Sequence, residues 1–141
     1  MAGTGASLRA ADSSVAVAAF ARWHEQHAKA RLALRDRPAI VSHAAFETYS
    51  SLTRIPPPER AEAVQVRVFL EDWFGDRWLG FSAGELRLAL ARLEELGVAG
   101  GATYDGLIAM TAAASGATLV TLDRRALTTY ERVGADVELV D

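Results

Sequence analysis

The sequence predicts an α/β domain of three layers: a mostly parallel five-stranded sheet with helices on both faces. Short apolar runs at 8–11, 39–41, 78–79, 118–122 and 137–140 alternate with longer stretches of helical period. The connections are short, and neither an internal repeat nor a linker divides the 141 residues. Strands alternating with helices in this way build parallel sheets, whose two faces both need covering. A chain of this length holds a full core in one domain, 1–141.

In order along the chain, Met1–Ser7 is small and polar and reads as a frayed end. Leu8–Ala11 is the first strand, a poor one by propensity. Asp12-Ser13-Ser14 closes it, and helical composition runs from Val15 to about Leu34, with Ser13 or Ser14 as its cap. Arg35–Pro38 is a turn and Ala39–Val41 a second strand. Ser42 opens a helix to about Leu52 that carries Glu47. Pro56-Pro57-Pro58 forces a break, and Pro58 suits the first turn of a helix from Glu59 to about Trp73, with Val64, Val68 and Phe69 facing inward. Trp78-Leu79 is a brief strand. Ser82-Ala83-Gly84-Glu85 is a capping-box pattern, and Leu86, Ala89, Leu90, Leu93 and Leu96 form a helical stripe that stops at Gly97.

The stretch 101–123 organises the remainder. A glycine pair leads into a helix with Asp105 in its first turn, and Gly116 sits where a left-handed cap ends it. Thr118–Leu122 is a buried strand that runs straight into Asp123. Arg124–Val133 is a helix and Val137–Val140 a last strand.

Composition narrows the chemistry. With no cysteine, disulfides, thiolate catalysis and cysteine-ligated zinc are excluded. No basic segment leads an apolar one at the N-terminus and no clean spanning segment exists, so the expected protein is cytoplasmic, with no membrane partner. The net charge of −3 is a weak argument against a polyanion, because the local distribution decides.

In a parallel sheet, ligands gather beyond the carboxyl ends of the strands, where strand order reverses. Asp12 follows the first strand and Asp123 the fourth. Asp105 opens the helix before the fourth strand, and Glu47 lies in the helix after the second. Four carboxylates converging there repel one another unless cations compensate them. An all-oxygen site suits Mg²⁺ or Mn²⁺, and a pair of such ions activates a water and stabilises the leaving oxygen in phosphodiester cleavage. Setting these four aside leaves 14 acids against 15 bases, so overall acidity no longer opposes a polyanion. Arg22, Arg54, Arg124 and Arg125 follow the acidic motifs in sequence and are the candidate contacts for the flanking phosphates of such a polyanion.

Asp12-Ser-Ser-Val, Glu47 in AAFETYSSL, Asp105 in YDGLIAMTAAASGATLVT and Thr121-Leu122-Asp123 together resemble the PIN domain, above all the VapC-type toxins of bacterial toxin–antitoxin pairs. The match covers nearly the whole chain, in length and in the order and spacing of the acids. The resemblance implies a PIN-like fold and a Mg²⁺-dependent endoribonuclease, usually a homodimer, restrained by a cognate antitoxin. It implies Asp12, Glu47, Asp105 and Asp123 as metal ligands, with the hydroxyls of Ser14 and Thr121 beside them. For the antitoxin the chain offers Trp23, Trp73, Phe74 and Trp78 as candidate surface, each equally readable as core.

Other readings stand beside this one. Singly, each acid reads as a cap or a solvated charge; it is the set of four that points to a site. His24 and His27 resemble a zinc pair but are one residue too close for the usual motif. No nucleophile elbow or phosphate loop is present. A receiver-type signalling domain shares the size and the acidic pocket but needs a late lysine, whereas the single lysine here is Lys29. A catalytically silent binding module on the same fold is the remaining alternative.

Overall fold

The computed structural model describes residues 8–141; the expected frayed end at 1–7 lies outside them. The strands are β1 (Arg9–Ala11), β2 (Ala39–Val41), β3 (Trp78–Leu79), β4 (Thr118–Thr121) and β5 (Val137–Leu139). The helices are α1 (Ser13–Phe20), α2 (His27–Ala33), α3 (Ser42–Arg54), α4 (Ala63–Phe74), α5 (Ala83–Glu95), α6 (Thr103–Ala114) and α7 (Leu127–Val133). The strands form one sheet in the order β3-β2-β1-β4-β5, and every pairing is parallel. From β1 the chain moves outward through β2 to β3, then returns to the other side of β1 for β4 and β5. Right-handed crossovers in these opposite directions put helices on opposite faces of the sheet. They also open a switch point between β1 and β4.

The weak first strand is the central one. Ala10 and Ala11 are fully buried and pair with β2 on one side and β4 on the other. Pairing on both edges, with helices packed over both faces, overrides alanine's poor strand propensity. The small side chains also match α1, which presents Val15, Ala16, Ala18 and Ala19 to the core.

Three boundaries differ from the sequence pattern. The first long helix is two: α1 ends at Phe20, where Ala21 is extended, and α2 begins at His27. The cause is side-chain competition for the end of α1. The His27 ring Nδ1 meets the Ala18 carbonyl at 2.8 Å, and Arg31 Nε donates to the Ala19 carbonyl at 2.6 Å. The cap of α1 is Asp12, whose carboxylate accepts from the Val15 backbone N–H, rather than Ser13 or Ser14. The helix expected from Glu59 starts at Ala63, because the Ala61 N–H returns to the Leu52 carbonyl and Arg60 Nε to the Ile55 carbonyl, tying 55–61 into a loop. Its inner side is Val66, Phe69, Leu70 and Phe74, while Val64 and Val68 are exposed.

The capping box at Ser82 and Glu85 is present, and its hydrogen bonds from Ser82 hold the Glu85 carboxyl below the usual range. Of the leucine stripe behind it, only Ala89 and Leu93 are buried. Gly116 adopts the left-handed conformation (φ 69°) expected of it. Gly106 matters for packing instead. A Cβ there would lie 2.5 Å from Leu93 Cδ2 and 3.0 Å from Val98 Cγ1, so glycine lets α6 approach α5. Gly106→Ala is expected to cost about 1–3 kcal/mol of overpacking, offset by about 1 kcal/mol of helix propensity. Urea denaturation should therefore show a modest net loss, and a clear gain would contradict this close fit.

Candidate active site

The site is built where β1 and β4 end side by side. The parallel register sets Ala11 against Val120, and the Asp12 N–H continues the ladder to the Val120 carbonyl at 3.1 Å. Asp12 is only 2% exposed. One carboxylate oxygen accepts from the Ser14 hydroxyl at 2.6 Å and from the Val15 N–H at 3.3 Å; the other accepts from the Tyr130 hydroxyl at 2.8 Å. Burial pushes the Asp12 carboxyl above its ordinary pKa, while Ser14, Thr121, Tyr130 and Val15 act in the opposite direction by bonding the charged form. Tyr130 is pushed far above its own ordinary value, first by burial and then by the neighbouring Asp12 charge, and so stays a donor.

Ser14 and Thr121 link the first acid to the last. Ser14 Oγ accepts from the Leu122 N–H at 2.8 Å and lies 3.3 Å from Thr121 Oγ1. Thr121 Oγ1 accepts from the Asp123 N–H at 3.0 Å, and Asp123 caps the following turn by accepting from the Arg125 N–H at 2.9 Å. The hydroxyls expected beside the acids therefore fix the backbone at the end of β4 and the side chain at the end of β1.

Glu47 reaches the same edge from the second turn of α3. Ser13 donates to Glu47 Oε1 at 3.0 Å, and His43, one turn earlier, places Nε2 at 3.7 Å from Oε2. Asp105 is half-buried in the first turn of α6. Its carboxyl is pushed up, first by burial and then by the charges of Glu47, Asp123 and Asp12, while the Arg125 guanidinium pulls it down. The four acids thus form one electrostatic group. They are not a closed cage: among the described residues, no three His, Asp or Glu side chains stand close enough together to enclose an ion as they are. The reason is local, since Asp12, Glu47 and Asp123 are each held by hydrogen-bond partners of their own.

The arginines divide. Arg125 stands at the acids, with Nε 3.6 Å from Asp123 Oδ1, and is almost fully exposed. Arg124 is exposed and turned to Asp141. Arg22 lies past the far end of α1 and Arg54 closes α3, so both stand at helix ends opposite to those that carry the acids. The histidine pair is accounted for locally: His24 Nδ1 accepts from the Gln26 N–H and His27 holds the end of α1. Of the aromatic candidates, Phe74 is fully buried, and Trp73 is half-buried between the Arg31 and Arg37 guanidiniums. Trp23 and Trp78 are exposed. A groove of about 570 Å³ runs over α3 and α4 past Phe46, Tyr49, Val64 and Trp78, away from the four acids. Ser13 is legible in the sequence as a candidate cap but not as the partner of Glu47, and Tyr130 and His43 escaped it. Only the spacing of His43 to Glu47, four residues on one helix, gave a signal.

The PIN domain family model matches residues 10–133. Ribonuclease VapC40 of Mycobacterium tuberculosis (strain ATCC 25618 / H37Rv) is 49% identical over 131 residues, 93% of this chain and 98% of that protein. Ribonuclease VapC27 of the same strain is 38% identical over 131 residues, 91% of this chain and 93% of that one. Among solved structures, that of FitAB bound to IR36 DNA fragment superposes with a TM-score of 0.65, covering 94% of each chain at 13% identity, a likeness of fold. No helix of the described residues is long and apolar enough to cross a membrane. The chain belongs to the PIN-domain family and, within it, to the VapC type.

Proposed function

We propose that this protein is the toxin of a type II toxin–antitoxin pair, a Mg²⁺-dependent endoribonuclease that hydrolyses RNA by a two-metal-ion reaction, with Mn²⁺ as an alternative ion. The observation that carries this is the convergence of four acids at one sheet edge: Asp12 and Asp123 follow the paired strands β1 and β4, Ser13 holds Glu47 beside them, and Asp105 in the first turn of α6 lies within the field of all three. Such a group of oxygens short of positive charge fits hard divalent cations. The names of the VapC relatives support ribonuclease activity.

In this reading Asp12, Glu47, Asp105 and Asp123 hold the ions. When bound, the ions would supply an acidified water and neutralise charge developing on the phosphate. Ser14 and Tyr130 keep Asp12 aimed and favour its charged form against the effect of burial, and Thr121 fixes the backbone that presents Asp123. Arg125, exposed beside the acids, suits a flanking phosphate. A water oxygen displaces the ribose 3′-oxygen at phosphorus, leaving a 5′-phosphate and a 3′-hydroxyl. The histidine pair His24 and His27 is engaged elsewhere, so an acid–base relay through the ribose 2′-hydroxyl has no matching pair there. End-group analysis of cleaved RNA should show 5′-phosphates and no cyclic phosphate, with activity lost in EDTA; a cyclic product or EDTA-resistant cleavage overturns the mechanism.

A cation would also change the pH dependence of stability. Asp12 and Asp105 both have raised folded-state pKa values. Each therefore contributes stability that is full below its unfolded pKa, about 4, and is lost as pH rises through the folded value. The metal-free protein should have less stability from these two groups at pH 7 than at mildly acid pH. Mg²⁺ or Mn²⁺ binds the ionised forms and should raise the melting temperature more at the higher pH. Equal shifts at both pH values, read by thermal melts, would argue against these acids as the ligands.

The partners in this reading are RNA, a cognate antitoxin and a second copy of the chain, in the cytoplasm. The exposed apolar side chains along the groove of α3 and α4 offer the antitoxin a surface. Expression alone should arrest growth, and co-expression with the product of the upstream reading frame should relieve it. No arrest, with the purified protein still cleaving RNA, would leave a nuclease without an antitoxin.

A further inference from the structure

His43 and Tyr104 form a contact that neither the core nor the acids require. His43 is the second residue of α3 and Tyr104 the second of α6. Their rings stack with centroids 4.6 Å apart and planes 12° from parallel. This is a surface contact, since Tyr104 is 55% exposed. It is also joined to the acids at both ends: His43 Nε2 lies 3.7 Å from Glu47 Oε2, and Tyr104 immediately precedes Asp105.

We propose that the open side of this stacked pair, chiefly the Tyr104 ring, seats a nucleobase of the RNA beside the phosphate to be cleaved. The inference rests on the ribonuclease reading and adds a binding subsite to it. The His43 ring that stacks on Tyr104 also reaches to 3.7 Å from Glu47 Oε2, so the stacked pair borders the acids and a base seated on it stays beside a phosphate held there. The acids make this edge hostile to further phosphates, whereas a base is the uncharged, flat part of a nucleotide. Stacking on an aromatic side chain is how single-stranded nucleic acid is held without reading its sequence. The His43 ring behind Tyr104 reduces the ring's freedom before RNA arrives, so less order has to be imposed on binding. The groove on α3 and α4 is a different surface, lined by Phe46 and Trp78 and open to an apolar partner.

Tyr104→Ala and Tyr104→Phe separate the ring from its hydroxyl. With short single-stranded oligoribonucleotides and Mg²⁺, Tyr104→Ala should raise KM about tenfold or more, as the loss of one stacked base does, with kcat close to that of the unaltered protein. Tyr104→Phe, which keeps the ring, should restore KM. An oligoribonucleotide carrying a fluorescent purine analogue at successive positions should be quenched at one position on binding to an inactive Asp123→Asn protein, and the quench should vanish when Tyr104→Ala is added. Because Tyr104 is exposed, thermal melts should show both variants folded. Unchanged KM and quench in Tyr104→Ala, or a Phe variant as impaired as the Ala one, overturns the base seat while metal-dependent cleavage stands. Absence of any metal-dependent cleavage by the unaltered protein overturns the ribonuclease reading, and the seat with it.

Discussion

Asp105→Asn should lower metal-dependent RNA cleavage by on the order of 10²–10⁴-fold, the scale of several kcal/mol of transition-state charge stabilisation by a bound ion. The same variant should fold, and its metal-free form should melt no lower than the unaltered protein. Asp105 is half-buried beside Glu47, Asp123 and Asp12, and its ionised form is disfavoured in the folded state. An amide of nearly the same shape removes one of four mutually repelling charges, so at neutral pH the metal-free fold loses a repulsion. The gain in melting temperature should be small, because the side chain is partly solvated and surface charges are screened. Adding Mg²⁺ or Mn²⁺ should then stabilise the variant less than it stabilises the parent. A variant that melts early yet cleaves at the parental rate per folded molecule would show that Asp105 serves the fold and not the reaction.

The second large effect is expected at Tyr130. The side chain is 1% exposed, and its hydroxyl donates to Asp12 across 118 residues of sequence. Tyr130→Ala empties a ring-sized volume in the core and should cost about 3–5 kcal/mol, as aromatic-to-alanine changes do. Against a total stability of about 5–15 kcal/mol for a domain, that is enough to leave much of the protein unfolded near its growth temperature. Tyr130→Phe keeps the ring and removes one hydrogen bond to a charged group, a change of about 1.5–3 kcal/mol. It also removes a group that favours the ionised form of Asp12, so the Asp12 carboxyl should rise further. The acid limb of the pH–rate profile should accordingly move to higher pH, and higher Mg²⁺ should be needed for half-maximal rate. Urea denaturation and a pH–rate series check the two parts separately. Parental stability and an unmoved profile in Tyr130→Phe would mean that Ser14 and the Val15 N–H suffice to hold Asp12.

The places where pattern and structure part share a cause. The apparent long helix 15–34 breaks because the His27 ring and the Arg31 guanidinium take carbonyls at the end of α1. The helix expected from Glu59 starts four residues later because the contacts of Arg60 and Ala61 tie the preceding residues into a loop, and the face it buries is that of Val66 and Leu70 rather than Val64 and Val68. The leucine stripe of α5 is covered only in part: Ala89 and Leu93 are buried and Leu96 packs half-buried against them, while Leu86 and Leu90 stay outside. Periodicity identifies a helix, but only contact with a neighbour decides how wide a stripe is covered.

Residue order was enough to specify the alternation of strands and helices, and with it a parallel sheet whose carboxyl edge collects Asp12, Glu47, Asp105 and Asp123. It was also enough for the cap at Ser82 and the left-handed turn at Gly116, because such features depend on residues within one helical turn of each other. Folding in three dimensions was needed to show that a second hydroxyl on Asp12, beside that of Ser14, comes from Tyr130, that Ser13 holds Glu47, and that His43 stacks on Tyr104. Those partners lie far apart in the chain. They meet only because the register of β1 against β4 and the approach of α3 to α6 bring three helix starts and two strand ends to one edge, and no local period in the sequence encodes that distance.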